Sequence, residues 1–189
     1  FQPAASYGRR ESEYLIPPFG DNLVSLMLTH KAIRSLANEL FSPFGLRLGV
    51  RPAEGKLETM KDFQDIIVSY PYGLASDTLQ RVVFYMAAIL SNKDSVLVFE
   101  EPEWHTFPFY TKYLAELIAL DQAQNQYLMS THNPYFLLPM LQKSPKDDIA
   151  IFVTYFEDYQ TKIKPLSEKQ VGELVEMDVF SNLDSILEE

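Results

Sequence analysis

The chain has 189 residues, which is enough for one domain with a sizeable core. Apolar residues make up 47% and charged residues 22%, as in an ordinary globular protein, and the formal net charge of -10 argues against nonspecific coating of nucleic acid. Cysteine is absent, which excludes disulfides and thiolate metal sites, and no signal peptide or apolar run of membrane length is visible. We therefore expect a soluble, cytoplasmic protein with no membrane partner.

The first helix is predicted after an opening segment rich in Pro, Gly and Ser. Asn22 is placed to cap it, and apolar residues recur at helical spacing over about 23–41. His30 falls on the same apolar stripe. A lone histidine in such a place is expected to be a packing residue, so it is assigned no functional role.

Glycines and prolines then divide residues 42–63 into turns, and one short strand is expected at 46–50. This punctuated pattern contrasts with the regular alternation that follows. Residues 1–64 are therefore predicted to form a helical and loop-rich lobe. Together with an α/β lobe over 65–189, this lobe is expected to make a single partial domain.

Residues 65–189 alternate between strand and helix patterns. Such alternation predicts parallel strands joined by right-handed crossovers, with helices on both faces of the sheet. The predicted elements are strands at 65–70, 96–99, 126–130, 149–156 and 161–165, and helices beginning at Ser76, Phe107-Pro108, Asn133-Pro134 and Ser167, with a last helix over 179–187.

The stretch at 96–103 joins a strand to a pair of acids. Its four apolar residues predict a strand buried on both faces. Glu100 and Glu101 end that strand, because adjacent carboxylates repel and are costly to bury, and Pro102 removes a ladder donor. The pattern fits either a solvated acidic turn or a Walker B segment, whose strand delivers a magnesium-associated and a water-activating carboxylate to a nucleotide.

Four side chains are expected at one edge of this sheet. The strand before Glu100 and the strand before Thr131 are joined by one helix, so they are predicted to run parallel. Their carboxyl ends then share an edge, which is where open α/β sheets bind ligands. That edge collects Glu100, Glu101, Thr131 and His132, and two carboxylates with an imidazole predict a reaction site.

Three segments, in this order, carry motifs of a known form: LASDTLQR at 74–81, VLVFEEPEWHTFP at 96–108 and STHNPYFL at 130–137. They resemble the signature, Walker B with D-loop, and switch-histidine segments of ABC-type ATPases. The resemblance is to the branch that includes the overcoming-lysogenization-defect nucleases, RecF and the structural-maintenance-of-chromosomes (SMC) proteins. PFGDNL at 18–23 matches a weaker G-x-N-L element of that branch. The resemblance implies a P-loop NTPase-type, mostly parallel sheet flanked by helices, of which this chain would be the C-terminal part.

The same resemblance implies roles at the nucleotide. Glu101 would be the catalytic carboxylate that polarises the attacking water, and Glu100 would hold Mg²⁺ through a water. Thr131 and His132 would lie at the nucleotide, with His132 contacting the γ-phosphate. ATP and Mg²⁺ are the ligands that these roles require.

Other matching residues imply a dimer. Ser76 would reach the γ-phosphate of a nucleotide held by a partner subunit, where the start of a helix suits an anion. Glu103 and His105 match the D-loop and would lie near the dimer seam. Residues 7–10 are also expected near the nucleotide or the seam, because they closely precede the G-x-N-L element. A homodimer or a partner ATPase half is therefore implied.

The chain departs from the family's pattern at several positions. Glu100 stands where Asp is usual, and Mg²⁺ is strict about its octahedral geometry. Asp77 replaces the usual signature glycine and brings a negative charge towards a triphosphate, unless Arg81 offsets it. Phe107 replaces the second D-loop histidine. No G-x-x-x-x-G-K-[ST] phosphate loop occurs in these 189 residues.

Three functions remain open from the sequence. The first is an ATPase that dimerises around ATP and drives a conformational change. The second is a degenerate or truncated ATPase domain that acts as an interaction module without turnover. The third is a metal hydrolase that uses Glu100, Glu101, Glu103 and His105 as direct ligands, although catalytic zinc sites usually need more histidines. The acidic net charge gives no support to nucleic-acid binding.

Overall fold

The computed structural model describes residues 12–176. Two predicted segments, residues 7–10 and the helix over 179–187, lie outside the described residues. Within the described part, no helix combines the length and apolar character needed to cross a membrane.

The predicted helix over 23–41 is two helices, α1 (Leu23–Thr29) and α2 (Lys31–Phe41). The break is at His30, whose backbone is extended, with φ −95 and ψ 104. The Arg34 guanidinium donates hydrogen bonds at 3.0 and 2.7 Å to the last-turn carbonyls of Met27 and Leu28. A side chain therefore satisfies carbonyls that a continuous helix would have bonded internally, and the prediction of one helix was wrong.

Asn22 precedes α1 but its side chain does not cap the helix. It is fully buried, its Oδ1 accepts a hydrogen bond from the Ile16 N–H at 2.9 Å, and its Nδ2 donates to the Tyr14 carbonyl at 2.8 Å. The amide therefore uses both its acceptor and its donor to tie the preceding loop to α1. The predicted capping role was wrong, since the loop competes for the same side chain.

Asn22→Asp should destabilise the fold by about 1–3 kcal/mol, because it removes the donor to Tyr14 and buries a charge. A capping role predicts almost no loss, since Asp and Asn cap helices equally well. Urea unfolding of this variant measures the difference, with the neighbouring change Asp21→Asn as control. A stability within about 0.5 kcal/mol of the wild type would contradict the role seen here.

An antiparallel sheet follows, made of β1 (Arg47–Arg51), β2 (Lys56–Phe63) and β3 (Ile66–Pro71). The predicted strands at 46–50 and 65–70 are present, but β2 was expected to be turns. Gln64 and Asp65 both have positive φ, 46° and 65°, which is the backbone of a two-residue hairpin. Among the described strands, β3 consequently pairs only with β2 in a separate sheet, and it is not part of the parallel sheet that the alternation predicted.

The central unit is two parallel strands with helices between and around them. β4 (Val96–Glu100) and β5 (Gln126–Ser130) pair in register from Val96 opposite Gln126 to Glu100 opposite Ser130. This confirms the predicted parallel pairing. The helices of this unit are α3 (Asp77–Ser91), α4 (Pro108–Ala119) and α5 (Pro134–Lys143).

β4 is buried on one face only. Phe99 points into the core and packs against Tyr85 of α3, with ring centroids 5.1 Å apart, whereas the side chains of Val96 and Val98 are 59% and 71% exposed. The prediction of a strand buried on both faces was therefore wrong for the described residues. A continuous apolar run is compatible with burial of a strand on both faces. Burial of the second face still requires another element that packs against it.

The last described elements are the hairpin of β6 (Phe152–Glu157) and β7 (Gln160–Pro165), followed by α6 (Glu168–Glu176). The predicted capping box is present: the Ser167 N–H donates to Gln170 Oε1 at 3.0 Å, and the Gln170 N–H donates to Ser167 Oγ at 3.4 Å. The α/β class is confirmed. Among residues 12–176, parallel pairing is confined to β4 and β5, and the other strands pair antiparallel.

Candidate functional site

The predicted edge is formed where β4 and β5 end together. The Glu101 N–H donates to the Ser130 carbonyl at 3.0 Å, which extends the pairing by one step beyond the strands. The loop that begins at Glu101 and the turn that begins at Thr131 therefore leave the sheet side by side. The parallel register is what brings these two segments into contact.

Glu101 and His132 meet across this edge. Glu101 Oε1 lies 2.6 Å from His132 Nδ1, and the two side chains are 35% and 73% exposed. An ionised carboxylate only accepts hydrogen bonds, so Nδ1 carries the proton in this contact. Glu101 also has a φ of +40°, a left-handed conformation that side chains other than glycine rarely adopt and that is concentrated at functional sites.

Glu103 lies deeper at the same edge. It is 3% exposed, and one carboxylate oxygen, Oε1, accepts a hydrogen bond from the Thr131 hydroxyl. The other oxygen, Oε2, is buried and has no hydrogen-bond partner among residues 12–176. Burial raises the pKa of Glu103, and the hydrogen bond from Thr131 opposes that rise. The side chain predicted for the dimer seam is thus inside the fold, while the seam itself stays a prediction.

Glu103→Gln should stabilise the fold more at neutral pH than near pH 4. Because the folded pKa of Glu103 is raised above its unfolded value of about 4.3, folding favours the protonated acid. The wild-type chain therefore loses stability as the pH rises from below the unfolded pKa through the raised folded pKa, whereas Gln stays neutral. Thermal unfolding of both chains at the two pH values measures this. An equal difference at both would contradict it.

The start of α3 brings the signature-like segment to the same side. Ser76 is the exposed N-cap residue, and its hydroxyl makes no capping hydrogen bond. Asp77 Oδ2 lies 3.2 Å from Nε of Arg81, one turn further along α3, so the arginine offsets the charge that replaces the usual glycine. The Arg81 guanidinium also lies over the Trp104 ring, 5.5 Å from its centroid.

The loop after Glu101 is held against this end of α3. The Thr78 hydroxyl donates to the His105 carbonyl at 3.1 Å, and His105 Nδ1 lies 3.8 Å from Asp77 Oδ2. The Trp104 and His105 rings are in contact but tilted, with centroids 4.4 Å apart and an angle of 43° between their planes, and His105 has a φ of +59°. The signature-like and D-loop-like segments therefore form one connected surface.

Comparison with known proteins gives matches among solved structures alone, since no family model and no curated protein matches the sequence. One match is a structure from work on ATP-driven dimerization and DNA-stimulated activation of SMC ATPases: 19% identity, TM-score 0.53, covering 82% of this chain and 95% of that one. Another is an Smc head bound to the C-winged helix domain of ScpA: 18% identity, TM-score 0.54, covering 79% and 49%. A third is the Smc head domain with a coiled coil and joint derived from Pyrococcus yayanosii: 19% identity, TM-score 0.52, covering 79% and 29%.

The chain has the fold of an SMC ATPase head domain. This agrees with the α/β, P-loop NTPase-type class expected from the motifs. At identities below 20% the likeness concerns the fold, so the roles of individual residues in this head fold rest on their own geometry.

The head fold offers carboxylates of a kind that suits Mg²⁺ but no preformed metal cage. Within residues 12–176, no three His, Asp or Glu side chains are grouped to hold a metal ion. Glu103 is turned to Thr131 and His105 lies beside Asp77, so the hydrolase reading with direct protein ligands has no geometric support. Mg²⁺ bound with a nucleotide takes one or two carboxylates, waters and phosphate oxygens, and the exposed Glu100 at the end of β4 fits that donor set.

Two contacts at this site were not predicted from the sequence. The pairing of Glu103 with Thr131 joins residues 28 positions apart, and the hydrogen bond from Thr78 to His105 joins residues 27 apart. No local pattern signals such pairs. The contact between Asp77 and Arg81 was visible, because i,i+4 residues of opposite charge share one face of a helix.

Proposed function

We propose that this chain is the part of an SMC-like, ABC-type ATPase head that supplies the water-activating and γ-phosphate-sensing groups for Mg²⁺-dependent hydrolysis of ATP. The observation that carries the proposal is the 2.6 Å contact between Glu101 Oε1 and His132 Nδ1 at the carboxyl end of a parallel strand pair. A carboxylate and an imidazole from adjacent strand ends are the groups that in-line attack of water on a phosphate needs.

In this proposal Glu101 orients the attacking water and accepts its proton as the γ-phosphate is transferred. Its hydrogen bond to Nδ1 fixes the orientation of the His132 ring, and Nε2 of the doubly protonated ring is left to donate to a phosphate oxygen. Mg²⁺, when bound with the nucleotide, neutralises phosphate charge, and Glu100 is the residue that would hold it through water. The Thr131 hydroxyl is already engaged by Glu103, so Thr131 acts by positioning its neighbour.

The proposal includes a dimer. An SMC ATPase of similar fold undergoes ATP-driven dimerization, and we extend this to the present chain. Ser76 is exposed, with a hydroxyl that the helix does not use, and is assigned to the γ-phosphate of a nucleotide held by the partner subunit. His105 lies on the surface next to Asp77 and is assigned to the seam.

A second candidate is an interaction module of the same fold without turnover. Asp77 at the signature position, Glu100 at the magnesium position and the lack of a phosphate-loop motif in these residues favour it. The ion pair with Arg81 weakens the first of these arguments, because it offsets the charge of Asp77. Turnover of ATP decides between the two candidates.

The test is ATP hydrolysis by these residues joined to, or mixed with, a polypeptide from the same gene or its neighbour that carries G-x-x-x-x-G-K-[ST]. The proposal expects Mg²⁺-dependent release of phosphate that is lost in His132→Ala and retained in the surface control Lys143→Ala. Release that is absent from every combination, with ATP binding intact, would establish the interaction module instead.

The 189-residue chain alone should bind ATP weakly or not at all. The backbone N–H groups and lysine of a phosphate loop supply most of the contacts to the phosphates, and the chain contains no such motif. Isothermal titration of the isolated chain with Mg²⁺ and ATP measures this. A dissociation constant below about 1 mM, about −4 kcal/mol, would contradict the prediction.

A further inference from the structure

Glu103 is a carboxylate whose burial the proposed chemistry does not use. A buried carboxylate with one oxygen unpaired is unfavourable for folding, so its presence at this edge requires a reason. Its one side-chain partner in the described part of the chain is the Thr131 hydroxyl, and that hydroxyl in turn accepts a hydrogen bond from the Asn133 N–H at 3.0 Å. A chain of contacts thus runs from Glu103 through Thr131 to the first residue after His132.

The turn that carries His132 is fixed on both sides of that residue. Thr131 is held by Glu103 on one side, and on the other the Asn133 side chain accepts the Tyr135 N–H at 2.9 Å as the cap of α5. His132 itself is largely exposed and contacts Glu101 alone among the described hydrogen bonds. The position of its ring therefore depends on how its two neighbours are held.

Glu103 is firmly placed in its own loop. Its carbonyl accepts hydrogen bonds from the N–H and the hydroxyl of Thr106 at 2.9 and 2.6 Å, and the same hydroxyl contacts Thr111 at 2.6 Å. Two side-chain pairs join the two loops. Glu101 pairs with His132 at the surface, and the buried Glu103 pairs with Thr131 beneath it.

We infer that Glu103 is a positioning residue, which sets the contact between Glu101 and His132 by holding Thr131 from below. The inference rests on the proposed function for its effect on turnover, but not for its effect on the geometry. It assigns Glu103 no proton transfer: the carboxylate acts as a hydrogen-bond acceptor, and the neutral amide of Gln also offers one.

Paired substitutions distinguish a positioning role for Glu103 from proton transfer by Glu103 and from a contribution to folding alone. Thr131→Ser and Glu103→Gln keep the donor and the acceptor, so turnover should stay within a few-fold of wild type. Thr131→Val and Glu103→Met remove them, and kcat should fall roughly 10- to 100-fold with a nearly unchanged KM, since small misplacements of reacting groups are costly. The double variant Glu103→Met with Thr131→Val should be no slower than Thr131→Val, because Thr131→Val already breaks the contact that Glu103→Met removes.

The effect on the geometry of His132 is measured on the 189-residue chain without nucleotide. The ring nitrogen resonances of His132, recorded by NMR, should report a hydrogen-bonded Nδ1 in the wild type, Thr131→Ser and Glu103→Gln. They should lose that signature in Thr131→Val and in Glu103→Met. Thr59→Val makes the same substitution at a buried threonine of β2 that shares no described hydrogen bond with either loop, and it should leave the His132 signals in place. Glu101→Leu, which removes the acceptor, gives the reference for a free ring.

Each outcome decides something. Unchanged His132 resonances in Thr131→Val would overturn the positioning role, and so would full turnover in that variant. Loss of turnover in Glu103→Gln with normal resonances would instead make Glu103 a participant in proton transfer, which also overturns the inference. Absence of turnover in the wild type would refute the proposed function alone, because the NMR comparison would still decide whether Glu103 and Thr131 hold the pair.

Discussion

Glu101→Gln should abolish hydrolysis of ATP in the assembled ATPase while leaving binding of ATP largely intact. Gln keeps the size of the side chain but cannot accept the proton of the attacking water or present a negative charge. Loss of a general base removes roughly 10²- to 10⁴-fold in rate, and phosphoryl transfer depends mainly on such positioning and electrostatics. A dimer closed over ATP should therefore accumulate, because hydrolysis is the step that reopens it.

The structure indicates that Glu101→Gln removes the charge while keeping the contact of the side chain with His132. The Gln Oε1 can still accept the hydrogen bond from His132 Nδ1. The folded state should therefore be retained, and thermal unfolding should confirm it. Gel filtration with ATP and Mg²⁺ then tests for the dimer, and phosphate release tests for turnover.

Glu100→Gln is the matched control, because it makes the same change from carboxylate to amide at the neighbouring residue. Glu100 is exposed at the end of β4 and is assigned to Mg²⁺, so its variant should need more Mg²⁺ and bind nucleotide less well, without trapping a dimer. If Glu100→Gln traps the dimer, or if Glu101→Gln hydrolyses ATP at the wild-type rate, the roles of the two acids are assigned to the wrong residues.

The meeting of Glu101 with His132 was predictable from the order of elements in the sequence. Two strand patterns separated by one helix must run parallel to close a right-handed crossover, and this places their carboxyl ends together. The segment boundaries were also accurate where Pro and Asn punctuate the chain, as at the start of α4 and α5.

Other features could not be predicted because they depend on partners distant in the chain. The role of Asn22 depends on a loop that folds back over it, and a local pattern cannot rank that loop against the helix end. β2 mixes apolar and polar residues in its sequence, and only Leu57 and Thr59 of this strand are deeply buried. Its strand conformation comes from pairing with both neighbours rather than from its own alternation.

Burial was the least predictable property of the site. An acidic stretch after a strand normally suggests solvent, and Glu100 conforms to this expectation. Glu103, three positions further on, is instead nearly inaccessible: it follows the buried Pro102, and the Thr131 hydroxyl at the end of the neighbouring strand donates to its carboxylate. The site therefore combines one exposed, one partly exposed and one buried carboxylate within four residues, a difference that their shared residue type conceals.

Phe136→Ala should destabilise the fold by about 3–5 kcal/mol, the range for removing a buried aromatic side chain and leaving a cavity. Phe136 lies in the first turn of α5, is fully buried and belongs to the main hydrophobic core. Since domains are stable by only about 5–15 kcal/mol, this single change removes a large part of the total. Urea unfolding should show a lower midpoint at an unchanged slope.

Tyr135→Ala is the control, because Tyr135 is the adjacent residue of α5 and its side chain is 61% exposed. Its backbone N–H, which donates to the Asn133 cap, survives the change, so the loss should be within about 0.5 kcal/mol. A comparable loss in both variants would indicate damage to the helix start rather than to the core. A loss below about 1 kcal/mol in Phe136→Ala would mean that α5 is not anchored by this ring, and the position of His132 would then depend on Thr131 and Glu103 alone.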